Sequence, residues 1–120
     1  MSKPVGPTHF EIAIGSTWIV SMTWWLTAAK TSAKDLTSYT AAMDIRRRIG
    51  DDTALVELTS AGGHIVLGGT GGTIIITIDN SVTATIDPGT AVFDLELTDS
   101  AGEPSRLLYG TAEFTQQVTR

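Results

Sequence analysis

Apolar residues recur at every second position over much of this chain, and a period of two is compatible with strands and little else. The stretch FDLELTDSAGEPSRLLYG, residues 93 to 110, shows it most clearly. Phe93, Leu95 and Leu97 fall on one face, and Val92, Asp94, Glu96 and Thr98 on the other. A turn over Asp99 to Pro104 separates this run from a return strand in which Leu108, Ala112, Phe114 and Val118 share a face. The spacing predicts a β-hairpin with one side packed on a core and the other in water.

The same code runs through the rest of the chain. Phe10, Ile12 and Ile14 alternate with Glu11 and Ala13, and Gly15-Ser16 follows as a turn. From residue 17, Trp18, Val20, Met22, Trp24 and Leu26 form an inward set, with Ile19, Ser21, Thr23 and Trp25 opposite. TAAKTSAKD then reads as a loop, with room for one helical turn over 28–34. Over 36–49 the inward set is Tyr39, Ala41, Met43, Ile45 and Ile49, interrupted by Arg47, while Thr40, Ala42, Asp44, Arg46 and Arg48 point out. Ala and Met make a helix the rival reading there, but the flanking turn signals favour a strand. ALVELTS, AGG and HIVLGG read as strand, glycine turn and strand, a second hairpin. Ile74, Ile76 and Ile78 share a face of TIIITIDNS, and SVTATIDPGT is a short strand or a crossing loop closed by Asp87-Pro88-Gly89.

Short strands at this spacing, without long helices, predict an all-β fold: an antiparallel immunoglobulin-like β-sandwich of about seven to nine short strands. At 120 residues the chain matches one domain. The expected division is an extended N-terminal arm over 1–9, where Pro4 and Pro7 fix the backbone, and a single sandwich over 10–120.

Composition narrows the function. Charged residues are only 18% of the chain and apolar residues 42%, so it folds rather than remaining disordered. A net charge of -5 lacks the positive field that phosphate binding needs, which disfavours a nucleic-acid partner. With no cysteine, disulfides, thiol nucleophiles and cysteine metal sites are excluded. No run has the length of a signal-peptide core or a membrane helix, so a soluble chain made in the cytosol, with no membrane partner, is expected.

Candidate catalysts are few. His9 and His64 have no recognisable metal-ligand spacing, so no metal or other cofactor is expected. Asp94 and Glu96 lie on one strand face, as a glycosidase pair requires, but a hairpin's solvent face is ordinarily charged. The glycines of GGHIVLGGTGG lack the Lys-Ser/Thr ending of a phosphate loop and precede a strand. The expectation is therefore a non-enzymatic protein. Arg46 and Arg48 point one way, either guarding a strand edge or pairing with an acidic neighbour. Trp25, opposite Trp18 and Trp24, is either an exposed anchor or part of a covered face.

The order of DLTSYTAAMDIRRRIG, LVELTSAGGHIVLGG, GGTIIITID, FDLELTDSAGEPSRLLYG and the terminal VTR resembles small bacteriophage virion proteins encoded near tail and fibre genes. It also resembles the N-terminal β-sandwich of phage baseplate upper proteins, over about residues 10 to 120. These motifs are turns and core, so the resemblance carries no catalytic residue. It implies a non-enzymatic virion structural protein, an adaptor or decoration subunit of tail, baseplate or neck, oligomeric in the particle and contacting other tail, baseplate or fibre proteins. Interface candidates are Pro4, Val5, Pro7 and His9 of the arm, with Trp25, Arg46, Arg48 and Tyr109. The alternatives are a carbohydrate-binding module for host surface glycan, using Trp25 and Tyr109, and a capsid cement protein.

Overall fold

The computed structural model describes residues 7–26 and 31–116. In chain order the strands are β1 (Pro7–Ala13), β2 (Trp18–Thr23), β3 (Thr40–Arg46), β4 (Val56–Thr59), β5 (Ile65–Leu67), β6 (Thr73–Ile78), β7 (Gly89–Thr98) and β8 (Pro104–Thr115), with one helical turn, α1 (Asn80–Thr83), before β7. They form two sheets, ordered β1-β8-β7-β3-β4 and β2-β6-β5. This is an all-β sandwich of immunoglobulin-like arrangement.

Alternation explains the core. Ile12, Met43, Ile45, Leu95, Leu97 and Phe114 face in from the larger sheet, and Ile65, Ile74, Ile76 and Ile78 from the smaller, none more than 2% exposed. Burying a side chain of this size stabilises by about 1.5–3 kcal/mol. Trp24 is also buried, edge-on to Tyr39 with ring centroids 6.3 Å apart. Trp18, Val20 and Met22 pack against the core while remaining partly exposed. The β7–β8 hairpin forms as read, Asp94 opposite Tyr109 and Leu95 opposite Leu108. Its turn is held by Asp99, whose carboxylate accepts from the Ala101 and Glu103 N–H groups, each at 2.9 Å.

Several expectations need correction. The strand begins earlier than the arm reading allowed: Pro7, Thr8 and His9 already belong to β1. Pro4, Val5 and Val118 lie outside the described residues. β1 also runs parallel to β8, not antiparallel, with Phe10 opposite Ala112 and Ile12 opposite Phe114. Gly110 permits that approach, since a Cβ there would sit 1.8 Å from the Thr8 carbonyl oxygen.

The second predicted hairpin is not one. β4 pairs with β3 and β5 with β6, so the AGG segment carries the chain from one sheet to the other. A glycine turn reverses direction without dictating the next partner. Ile49, read as inward, is 90% exposed, because β3 ends at Arg46 and residues 47–50 form a turn. Arg47, which interrupted the inward series, donates to the carbonyls of Asp87 and Thr90 and lies 5.9 Å over the Phe114 ring. It closes the sandwich end at the Asp87-Pro88-Gly89 turn. A register shift between Leu95 and Glu96 buries Leu107 as well as Leu108, although they are neighbours in sequence.

The segment left open between strand and loop contains α1. Asp79 caps it by accepting from the Ser81 N–H at 3.0 Å. Buried Thr83 ties it to the β1–β2 turn, donating to the Ser16 carbonyl at 2.9 Å and accepting from the Gly15 N–H at 3.0 Å. Among the described residues no helix is long and apolar enough to cross a membrane.

Candidate functional site

Outward positions of the five-stranded sheet combine residues that lie far apart in sequence. In register, Glu57 on β4 stands opposite Asp44 on β3, Asp44 opposite Asp94 on β7, and Asp94 opposite Tyr109 on β8. Around this row is a groove of about 410 Å³ whose lining includes Asp44, Arg46, Ile49, Asp94, Arg106 and Tyr109. Two of the sequence-predicted residues, Arg46 and Tyr109, therefore share one site.

Arg46 spans the groove edge. One Nη donates to Asp44 Oδ2 at 3.0 Å and the other to the Asp51 carbonyl at 2.8 Å. This is the pairing with an acidic neighbour that the alternation left open, and it fixes the guanidinium in place. Across the groove, the Arg106 guanidinium lies over the Tyr109 ring, 4.4 Å from its centroid. The site thus offers carboxylates from Asp94 and Asp44, a cation stacked on an aromatic ring, and the aliphatic Ile49 at its rim.

The remaining candidates separate. His9 adjoins the groove, its Nδ1 2.7 Å from the hydroxyl of the lining residue Thr111. Pro7 stands opposite Tyr109 in the β1–β8 register. Arg48 projects from the turn after β3, its side chain 85% exposed and 3.8 Å from Asp51 Oδ1. Trp25 is half-buried, bridges to Ala33 beyond the end of β2, and does not line the groove. Sequence reasoning missed Arg106 and placed Ile49 in the core. Counting back from the Asp99–Pro104 turn brings Asp94 near Tyr109, so part of the site was within reach of the hairpin register.

Two carboxylates are held below the ordinary range, and neither belongs to the groove. The Thr37 hydroxyl and N–H lower Asp35, at 2.6 and 2.9 Å, and the Ser81 hydroxyl and N–H lower Asp79. Both stabilise local turns.

The fold and the groove together define an immunoglobulin-like β-sandwich with a mixed-charge recess on its larger sheet. No protein-family model matches the chain, and no curated protein matches it. Among solved structures it is similar to Drosophila OTK, extracellular domains 3–5, at 14% identity and a TM-score of 0.33. That match covers 96% of this chain and 38% of the other, so the chain spans well under half of that structure. So slight a likeness carries nothing about function.

Proposed function

We propose that this chain is a non-enzymatic structural protein of a bacteriophage particle, an adaptor or decoration subunit at the tail, baseplate or neck. It holds another tail, baseplate or fibre protein in the groove of the five-stranded sheet. The phage setting and the virion location derive from the sequence resemblance. The groove supplies the means.

One observation carries the choice of a protein partner: Arg106 lies 4.4 Å over Tyr109, beside Asp94, with Ile49 90% exposed at the rim. Tyr and Arg are the residues on which protein interfaces concentrate their binding energy. A glycan module needs open aromatic faces on which a sugar ring can stack. Here the lining aromatics are buried Phe93 and half-buried Tyr109, and an arginine covers one face of Tyr109. The row Glu57, Asp44, Asp94 would also repel a phosphate backbone. The reading therefore favours a protein partner over host glycan or nucleic acid.

Mass spectrometry of heads and tails separated from purified particles tests the assignment. The chain is expected in the tail fraction at fixed stoichiometry. Its appearance in heads would make it a capsid cement protein, and its absence from particles would end the virion reading.

A further inference from the structure

His9 and Glu11 are two residues apart on β1 and so share its outward face, and the parallel register places Glu113 of β8 directly opposite Glu11. Their ligand atoms all lie within 4.8 Å of one another, and all three side chains are exposed. We propose that His9, Glu11 and Glu113 form a binding site for a divalent transition metal of the zinc class. This inference is independent of the virion reading.

Three observations support it. First, the set is mixed: an imidazole with two carboxylates is a ligand combination suited to Zn²⁺ and its neighbours, whereas Ca²⁺ and Mg²⁺ seek oxygen-rich shells. Second, His9 Nδ1 lies 2.7 Å from Thr111 Oγ1. In the tautomer whose Nδ1–H donates to that hydroxyl, the Nε2 lone pair is open, and the ring is oriented as metal-ligating histidines are by their outer partners. Third, Glu11 and Glu113 are like charges directly across a strand pair, an arrangement that costs stability unless a cation intervenes. The ion pairs among the described residues are Arg46–Asp44 and Arg48–Asp51, so neither glutamate has a basic partner there.

The spacing is within reach of coordination. Zinc bonds of about 2.0–2.2 Å hold tetrahedral ligand atoms about 3.4 Å apart, and exposed glutamates close that difference by changing rotamer. Three protein ligands leave a position open to water or to a group from a partner. The sequence alone pointed away from this site because Glu113 lies more than a hundred residues from His9 and only the parallel pairing joins them.

Calorimetric titration of the full untagged chain with ZnCl₂, with MgCl₂ and CaCl₂ as controls, tests the proposal alongside thermal unfolding. One equivalent of zinc is expected to bind and to raise Tm, with no response to calcium or magnesium. His9→Gln and Glu113→Gln should each lose at least ~10-fold in zinc affinity, and Thr111→Val a loss of about 10–100-fold. Without metal, Glu113→Gln should unfold at or above the parent temperature, because it removes the repulsion; that separates lost binding from lost folding. His64→Gln should bind as the parent does. An absence of zinc binding, or binding that survives His9→Gln as an adventitious ion only, would overturn the assignment.

Discussion

The two outer faces of the sandwich differ far more than the two inner ones. Facing in, both sheets present apolar side chains: buried Ile, Leu, Met and Phe from the larger, and buried Ile with partly buried Trp18, Val20, Met22 and Leu67 from the smaller. Facing out, the five-stranded sheet carries Asp44, Arg46, Glu57, Asp94 and Arg106 around a groove. The outward positions of the smaller sheet, including Ile19, Ser21, Thr23, Thr73, Ile75, Thr77 and Val66, hold no charge, with Ile19 62% and Val66 55% exposed. One alternation code generated both sheets. Its inward half specifies the fold, and its outward half is free to differ, so function is to be sought where the outward residues depart from simple solvation.

The first way to break this contrast is to attack the shared core. Ile76→Ala in the smaller sheet and Leu95→Ala in the larger are each expected to cost about 2–5 kcal/mol in urea denaturation. A cost confined to one sheet would show that the two do not share a core. Gly110→Ala comes next. Its Cβ would meet the Thr8 carbonyl, costing about 1–3 kcal/mol. Hydrogen exchange should then show β1 amides losing protection while those of β6 keep theirs.

Outward substitutions sharpen the comparison. Asp44→Asn breaks a half-exposed ion pair and is expected to cost no more than about 1 kcal/mol. Ile19→Thr on the other face should stay within about 0.5 kcal/mol. The smallest effect is that of pH. Asp35 and Asp79 have folded pKa values lowered from 3.8, so their contribution to stability is fully present above that value. It is lost as pH falls through the lower folded values. The doubly substituted Asp35→Asn, Asp79→Asn protein should show a flatter urea midpoint below pH 4 than the parent.

Much of the fold was legible because burial selects at every second residue. Phe93, Leu95 and Leu97, and Ile74, Ile76 and Ile78, all face the core as the alternation requires. Pairing was less legible. Nothing local marks β1 as the parallel partner of β8, and the glycines after β4 look alike whether the chain turns back or crosses to the other sheet. Ile49 misled because alternation says nothing about where a strand stops. The register shift that buries both Leu107 and Leu108 has no sequence signature of its own. The site was legible in pieces: Arg46 and Tyr109 were candidates, but the contact of Arg106 with Tyr109 on the same strand depends on that register shift, and the cluster of His9 and Glu11 with Glu113 on the pairing of β1 with β8.

The central claim is that the charged face, and not the neutral one, engages a tail protein. Cosedimentation of the purified chain with isolated phage tails lacking it tests this directly, comparing parent, Tyr109→Ala and Ile19→Lys proteins of verified fold. The account predicts that the parent and Ile19→Lys sediment with tails while Tyr109→Ala remains in the supernatant. Retention of Tyr109→Ala with loss of Ile19→Lys, or failure of the parent to bind tails at all, would contradict it.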